Sequence, residues 1–519
     1  MKNTDSSRPF DVMVYSATPG GIAAAIAASR GGARVLLVEP GGHVGGLSTS
    51  GLNTAESEHM LKWTIGGLAG EFYNHVGGFY GLEGPEYYFE SLVAERIYLK
   101  MLEEAGVEMR FNASLLEVET AGGRIHSLTL RDGTVLTASV FVDAGYEGDL
   151  LAAAGCAYAV GREARSEFQE EAAGIRLDPV SREAQTVDEH GELLPGISGW
   201  THSYREGDAH PGVMNYNFRL TVTRNPDLLH PFPLPDRYDA KRFQVLKNWF
   251  RAAHEAGREV CLRDILDFYK RAHDHYEMNN KQSAIFSLGH FGGQFRWPEA
   301  DEAGRREIYA DHMDYTLGLI HFLSSDGAVP ESVRTEMRDW GLHKGEFRDN
   351  GHLPYQLYVR EGRRLRGETV VTQRDVQNDR RKPDSIGICS HFIDCHHVQR
   401  LAISPTAFVN EGRIWRMGYA YQIPYRALTP KRAECANLLV PVAAGFSHVA
   451  FCSFRLESVW MIAGHAAGAA AAMAAGSGQA VQDVNVRELQ DRLREQGQVV
   501  DFLAGAPEKC GHLNGPPEF

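Results

Sequence analysis

Residues 10–51 read FDVMVYSATPGGIAAAIAASRGGARVLLVEPGGHVGGLSTSG: a strand, a glycine turn, a helix, a strand, an acid and a second glycine turn. The apolar runs 12–15 and 35–38 suit buried parallel strands, and an Ala-rich helix is expected over 22–29. Glu39 follows the second strand roughly 20 residues beyond the turn, where a carboxylate accepts the ribose hydroxyls of a dinucleotide. This stretch therefore predicts a nucleotide-binding βαβ unit.

The first glycine turn departs from the usual G-x-G-x-x-G pattern. Ser16 and Thr18 fill its first two glycine positions, and Gly21 fills the third. We expect the N–H groups that open the helix, around Pro19 and Gly20, to hold a pyrophosphate, because the helix dipole favours negative charge there. A plain strand-to-helix connection is the alternative. Glu39, at the expected distance from the first turn, and the second glycine turn favour nucleotide binding over a plain connection.

The composition is typical of a globular protein, and its negative net charge disfavours binding to polyanions. The 519 residues are 43% hydrophobic, which allows two or three domains. A net charge of −14 argues against a general nucleic-acid or anionic-membrane binder. The seven cysteines include no CxxC pair, so neither a zinc site nor a disulfide framework is indicated, and a reduced, cytoplasmic chain is expected. The apolar segment 461–475 predicts a buried helix rather than a membrane span.

Further along the chain, the pattern indicates a split nucleotide domain with an insert. A hairpin signal at Asp132-Gly133 and a buried strand ending at Asp143 and Gly145 extend a Rossmann-like sheet. The insert has an alternating strand at 215–222 and amphipathic helices such as 301–322. We predict four parts: the first part of the nucleotide domain (1–164), a substrate or cap domain (165–380), the second part of the nucleotide domain (381–480), and a C-terminal helix and tail (481–519).

The C-terminal third predicts a buried strand at 437–442 and a helix at 455–474. That helix carries the small residues Gly464, Ala467 and Gly468, which allow a backbone to approach a ligand closely. Tight helix packing is the alternative.

Four blocks of the chain together resemble the FAD-dependent oxidoreductases with a glutathione-reductase-like fold. They are residues 14–52, 141–155, 385–400 (SIGICSHFIDCHHVQR) and 424–472. The chain is most similar to a bacterial branch that sometimes carries the misleading label xanthan-lyase-like. LYVREGRRLRG (357–367) also matches, so the resemblance covers nearly the whole chain. It implies FAD as cofactor and an α/β fold: a Rossmann-like FAD-binding domain of the glutathione-reductase type with an inserted α+β substrate domain.

The resemblance also implies where FAD lies. The turn at 16–21 would cradle its pyrophosphate, and Glu39 would bind its adenosine ribose. The residues implied near the flavin, or in the second FAD-binding turn, are Gly45, Gly46, Leu47, Ser48, Asp143, Gly145, Gly464, Ala467 and Gly468. His43 adjoins this glycine turn, and histidines in comparable regions of some flavoproteins bind the flavin covalently. Covalent attachment through His43 is therefore a minor alternative to non-covalent FAD.

Two absent motifs narrow the expected chemistry. The chain has no second G-x-G-x-x-G unit and no C-x4-C pair after the first βαβ unit, which argues against an NAD(P)H domain and against disulfide reduction. We expect an FAD-dependent dehydrogenase or oxidase that transfers a hydride from a C–H bond of a small organic substrate to flavin N5 with a histidine base. The family context favours a sugar, glycoside or polyol. The alternatives are a flavin monooxygenase and a carbohydrate lyase or hydrolase without a redox role. The electron acceptor and the oligomeric state stay open.

The richest polar cluster in the sequence spans 391–397. If 393–397 is extended, His396 shares a face with Asp394, which would orient its imidazole. His396 is our first choice for the base and His448 the second. Either histidine can instead be structural, and a metal site at H-x4-H-H is an alternative that we do not adopt. Arg360, Arg363 and Arg364 form a second candidate group, and one of them, with Arg360 our choice, is predicted to hold a substrate carboxylate or an oxyanion. A solvated or ion-paired structural role is the alternative.

Overall fold

The computed structural model describes residues 9–54, 56–177, 180–281 and 283–510. Its α-helices are α1 (Pro19–Arg30), α2 (Gly67–Phe79), α3 (Ser91–Glu104), α4 (Asp149–Ala153), α5 (Arg165–Phe168), α6 (Gln244–Glu255), α7 (Glu302–Ser325), α8 (Glu331–Arg338), α9 (Gln373–Gln377), α10 (His448–Phe454), α11 (Glu457–Ser477) and α12 (Val486–Glu495). Its strands are β1 (Phe10–Tyr15), β2 (Val35–Val38), β3 (Glu108–Arg110), β4 (Leu115–Ala121), β5 (Arg124–Leu130), β6 (Val135–Leu136), β7 (Ala138–Asp143), β8 (Tyr158–Ala159), β9 (Arg182–Glu183), β10 (Gly199–Trp200), β11 (Leu220–Thr223), β12 (Leu229–His230), β13 (Leu266–Lys270), β14 (Tyr276–Asn280), β15 (Gly341–His343), β16 (Arg364–Leu365), β17 (Ser385–Cys389), β18 (Ile393–Cys395), β19 (Gln399–Ser404), β20 (Ala407–Glu411), β21 (Ile414–Arg416), β22 (Tyr421–Pro424) and β23 (Leu438–Leu439).

A five-stranded parallel sheet carries the predicted βαβ unit. Its order is β23-β7-β1-β2-β3, so strands from both ends of the chain lie in one sheet. β1 pairs in parallel with β2 and β7, and its last four residues are buried. Helix α1 begins at Pro19, because the hydroxyl of Thr18 accepts a hydrogen bond from the N–H of Gly21 (3.1 Å) and caps the first turn. The predicted Rossmann-like unit is confirmed.

Helix α11 packs against α1 and against one face of this sheet. It is the only helix in the described ranges that is long and apolar enough to cross a membrane, and 78% of its apolar window is buried inside the protein. A Cβ atom on Gly464 would lie 2.0 Å from the carbonyl oxygen of Gly20, and one on Gly468 would lie 2.0 Å from that of Ala24. The prediction that Gly464 and Gly468 approach the flavin is therefore wrong, because both face α1. Ala467, on the same helix, is fully buried.

The insert is built on a five-stranded antiparallel sheet with the order β12-β15-β11-β14-β13. The strand predicted over 215–222 is wrong in its first part, since β11 begins only at Leu220. Asn215 and Asn217 instead accept hydrogen bonds from Arg360. A mixed sheet, β10-β19-β20-β9, in which β10 and β19 are parallel, joins strands from both sides of the boundary predicted at residue 380. The insert and the second part of the nucleotide domain therefore contribute strands to the same sheet.

Candidate functional site

The turn after β1 forms a candidate phosphate site. Ser16 has a φ of 77°, in the region that favours glycine. A Cβ atom on Gly21 would lie 2.0 Å from the carbonyl oxygen of Ser16, so this position needs glycine for α1 to start so close to β1. Within the described residues, nothing accepts a hydrogen bond from the N–H groups of Thr18 and Gly20. These groups are thus available to an anion at the helix N-terminus.

The predicted second turn lies against the first one. The Thr18 hydroxyl donates a hydrogen bond to the carbonyl oxygen of Ala144 (2.8 Å). Asp143 accepts hydrogen bonds from the N–H groups of Gly145 (3.0 Å) and Leu151 (2.7 Å), and burial raises its pKa to about 7. The carboxylate of Asp143 thus holds its own turn, and that turn supports the phosphate site. The assignment of Asp143 and Gly145 to the cofactor site stays a prediction.

A cleft of about 780 Å³ opens beside the turn, at the carboxyl ends of β1 and β2. This volume lies within the usual range for ligand pockets, and the carboxyl ends of parallel strands are where open α/β sheets bind ligands. Ser16, Glu39, His43 and Gly46 line it, and residues 114–116 form part of its wall. Four of the predicted cofactor residues therefore face one cleft, which fits an elongated nucleotide.

Glu39 lies at the edge of this cleft with its carboxylate fixed by the backbone. It accepts hydrogen bonds from the N–H groups of Ala17 (2.7 Å) and Gly41 (2.6 Å). Burial raises its pKa to about 7, although both hydrogen bonds lower it. The carboxylate is thus fixed at the edge of the cleft, and its contact with the ribose hydroxyls stays a prediction.

We expect Glu39→Gln to weaken FAD binding about ten- to a hundredfold, the worth of a hydrogen bond to a charged group. The ribose hydroxyls donate to the ionised carboxylate, so wild-type affinity should rise between pH 6 and pH 8 as Glu39 ionises. The variant should lack this rise. Titration of apoprotein with FAD, followed by flavin fluorescence, measures both effects. Glu108→Gln, in the partly exposed pair with Arg34, is the control. An unchanged pH dependence in the Glu39 variant would contradict the assignment.

The second glycine turn folds over the first. The N–H of Gly45 donates to the carbonyl oxygen of Ala17 (2.8 Å), and Gly45 and Gly46 have φ values of 93° and 50°. A Cβ atom on Gly46 would lie 2.1 Å from the hydroxyl of Tyr146. Leu47 and Ser48 are fully buried. Gly46 thus borders the cleft, and the two residues that follow it are part of the core.

His43 also lines the cleft, with both ring nitrogens engaged. Its Nδ1 lies 2.9 Å from Glu95, its Nε2 lies 3.2 Å from Asp349, and its ring stacks on Tyr355 at 3.5 Å. A nitrogen held by a carboxylate is not free to bond a flavin carbon. We therefore expect acid precipitation of the FAD-loaded protein to leave all flavin colour in the supernatant. Colour retained in the pellet would restore the covalent alternative.

A second group of polar side chains, buried except for slight exposure of Glu56 and Asp394, lies at the N-terminus of α11. Arg455 directly precedes Leu456, the N-cap of that helix. Residues 46 and 49 line the cleft a few positions before Glu56, a member of this group, and residues 355–357 line it directly before Tyr358, another member. We call it the buried polar cluster; its members are Glu56, Arg219, Asn280, Tyr358, Arg360, Asp394, His396 and Arg455.

His396 and Asp394 lie side by side in the buried polar cluster, as predicted. Nε2 of His396 is 3.7 Å from Oδ2 of Asp394, and the amide of Asn280 lies 3.2 Å from Nδ1. Arg360 donates to the amide oxygen of Asn280 (3.1 Å), so the Asn280 NH₂ group faces the imidazole and Nδ1 is the acceptor nitrogen. Burial and the neighbouring arginines, Arg360 foremost, lower the pKa of His396 well below 6.5. The imidazole is therefore neutral at pH 7.

Arg360 is fully buried and has no carboxylate within ion-pair distance among the described residues. Its guanidinium donates to the carbonyl oxygen of Asn215 (2.6 Å) and lies over the ring of Tyr358 at 4.3 Å. Burial lowers its pKa to about 9. The next two arginines of segment 357–367 do have carboxylate partners: Arg363 pairs with Asp149 (2.8 Å) and Arg364 with Glu163 (2.6 Å). Of the three, Arg360 alone is left to bind an added anion.

His448 lies outside the buried polar cluster. Its Nδ1 bonds Glu361 (2.8 Å), and its Nε2 lies 3.4 Å from the sulfur of Cys395. Both nitrogens are engaged and the side chain is fully buried, so His448 is in no position to take a substrate proton. The second choice for the base is wrong on this geometry.

Sequence reasoning missed three charged members of the buried polar cluster. Arg455 bridges Asp394 (3.3 Å) and the hydroxyl of Tyr358 (2.9 Å), and that hydroxyl donates to Glu56 (2.9 Å). Arg219 pairs with the same glutamate (3.2 Å). Burial raises the pKa of Glu56, but Arg455 and Arg219 outweigh it and lower the value to about 2. The only sequence signal was a charged residue inside an apolar stretch, as at Arg455.

A family model described as FAD dependent oxidoreductase matches residues 11–493. None of the curated proteins matches the chain. Among solved structures, THI4 from Thermovibrio ammonificans is 19% identical over 30% of this chain and 66% of that chain, with a TM-score of 0.22. Thioredoxin reductase from T. acidophilum is 18% identical over 26% and 35%, with a TM-score of 0.17. The anhydrotetracycline hydroxylase OxyS from Streptomyces rimosus is 16% identical over 36% and 40%, with a TM-score of 0.22. The chain thus spans 35% to 66% of the length of these three structures.

Proposed function

The chain belongs to the FAD-dependent oxidoreductase family, and we propose that it is a dehydrogenase or oxidase acting on a small organic substrate. The enzyme would remove a hydride from a C–H bond next to a hydroxyl or amine. Bound FAD would supply the hydride acceptor, its N5 atom. The protein's own part would be to bind the substrate, to exclude water and to take one proton.

The observation that carries this proposal is the neutral His396 beside Asp394 in the buried polar cluster. A general base must be unprotonated before it acts, and a nearby carboxylate stabilises the imidazolium that forms. The substrate hydroxyl or amine would replace the Asn280 amide at Nδ1 and give its proton to that nitrogen. Asp394, 3.7 Å from Nε2, would then face a charged ring.

Arg360 would bind the anionic part of the substrate or the developing oxyanion. A buried guanidinium without a carboxylate partner keeps its attraction for anions, because little water screens it. The amides of Asn217 and Asn280, which accept from Arg360, fit a substrate with several hydroxyl groups. We therefore propose a sugar, glycoside or polyol, with acidic members of that class preferred.

Anaerobic bleaching of the bound flavin tests the proposal. The FAD-loaded enzyme is mixed with matched pairs of neutral and acidic compounds: sugars with their sugar acids, polyols with hydroxy acids, and amines with amino acids. We expect bleaching by a member of the sugar or polyol class, fastest with the carboxylate. Bleaching only by NADPH, with oxygen incorporated into a product, would replace the proposal with a monooxygenase. Protein that binds no flavin while cleaving a glycoside would replace it with a lyase or hydrolase.

A further inference from the structure

Three atoms that can bind a metal converge outside the FAD cleft, in a part of the core that the proposed reaction does not use. They are the sulfur of Cys395, Nε2 of His448 and the sulfur of Cys452, and all three lie within 4.8 Å of one another. Cys395 ends β18, while His448 and Cys452 stand four residues apart on one face of α10. The three side chains are fully buried.

Their spacing is close to that of the donors in a zinc site. Zinc binds cysteine sulfur at about 2.3 Å and histidine nitrogen at about 2.0–2.1 Å, so two donors of a tetrahedral site lie about 3.5 Å apart. The sulfur of Cys395 is 3.4 Å from Nε2 of His448. Two thiolates and a neutral imidazole with one open position are a known zinc ligand set. Zinc would replace the contact between Cys395 and His448 and two weak bonds, from the thiols of Cys395 and Cys452 to the carbonyl oxygens of His396 and of His448.

A carboxylate behind the histidine completes the arrangement. Oε1 of Glu361 lies 2.8 Å from Nδ1 of His448, which directs Nε2 toward the two sulfurs. Metal-bound histidines commonly have such a partner on their other nitrogen. Arg364 pairs with Glu361, while Oε2 of Glu361 is buried and has no hydrogen-bond partner among the described residues. Glu361 thus holds the Nδ1 proton of His448 and leaves Nε2 as the nitrogen with the free lone pair.

We propose that Cys395, His448 and Cys452 bind one zinc ion, which ties β18 to α10. Two thiolates balance the charge of Zn²⁺, so the buried site would be neutral. Asp394 and His396 flank Cys395, and Arg455 follows the last turn of α10, so the ion would hold both sides of the buried polar cluster in position. Three protein ligands leave the fourth tetrahedral position to a water molecule. The proposed part of the ion is to position these elements, and it does not depend on the proposed reaction.

Elemental analysis of the FAD-loaded protein tests the zinc site. After expression with zinc and dialysis against EDTA, we expect about one zinc per chain, and X-ray absorption at the zinc edge should show sulfur and nitrogen neighbours at the distances above. Cys452→Ala and Cys395→Ala should lose the zinc. Cys156→Ala, at another buried free thiol, should keep it.

Several outcomes would overturn the site. These are wild-type protein without zinc, zinc that persists in the Cys395→Ala/Cys452→Ala double variant, and a Cys395–Cys452 disulfide found by mass spectrometry. The absorption measurement uses wild-type protein, so it decides the question even where a variant fails to fold. Flavin absorbance is read on the same samples, so a failure of the zinc site is distinguished from a failure of FAD binding.

Discussion

Replacing His396 with Ala should slow anaerobic bleaching of the flavin by substrate about 10²–10⁴-fold, the usual contribution of a general base. The bound FAD should keep its absorbance, because His396 lies in the buried polar cluster and not among the residues that line the FAD cleft. Stopped-flow absorbance with the best compound of the substrate panel measures the rate. The pKa of His396 lies well below 6.5, so the wild-type rate should not fall through protonation of this group at pH 6.5.

Imidazole rescue separates a base from a structural histidine. Removing the side chain leaves a space beside Asp394, and added imidazole should restore part of the rate in His396→Ala. His397→Ala is the matched control, since it makes the same change one residue away. A rate close to that of wild type in the His396 variant would remove this residue from the mechanism. Equal losses in both variants, without rescue, would mean that only local packing was disturbed.

The βαβ unit could be predicted because its signals are local. β2 spans the predicted residues 35–38, and the hairpin turn at Asp132-Gly133 has Gly133 at a φ of 83°. Apolar runs, a turn and an acid at fixed spacing need no knowledge of distant contacts. Helix α1 begins before the predicted 22–29, since the Thr18 cap and Pro19 set its start.

The buried polar cluster could not be predicted in full, because its members come from segments far apart in the chain. Asp394 and His396 could be predicted as neighbours, because they lie two residues apart on one extended segment. Glu56, Arg219 and Arg455 meet them only after the insert, the second glycine turn and α10 have packed together. Isolated charged residues in a sequence do not show which of them will share a buried site.

The spacing of the small residues in α11 correctly predicted a close contact, but the partner in that contact is a helix and not the flavin. Gly464 and Gly468 lie four residues apart, which marks one face of a helix that something approaches closely. Either a ligand or another helix satisfies that pattern, and in the structure it is α1. The two cysteines could not be paired from the sequence either. Cys395 and Cys452 are far apart in the chain, so no CxxC spacing indicates that their sulfurs lie within 4.8 Å of each other.

Gly464→Ala should destabilise the protein by about 1–3 kcal/mol and also loosen FAD, although it adds a single methyl group. The new carbon would lie 2.0 Å from the carbonyl oxygen of Gly20, so α11 and α1 must move apart. Gly20 is in the first turn of α1, and its N–H belongs to the candidate phosphate site, so the shift reaches the cofactor. Urea unfolding of apoprotein and FAD titration measure the two effects.

Two further variants of α11 carry the same substitution and separate these effects. Gly468→Ala would place its carbon 2.0 Å from the carbonyl oxygen of Ala24, one turn further into α1, so we expect a similar loss of stability with a smaller loss of FAD affinity. Gly476→Ala is exposed and would meet nothing within 4 Å, so it should raise stability by up to about 1 kcal/mol through helix propensity. If all three variants behaved alike, the close contact between α1 and α11 would not be what requires glycine at residue 464.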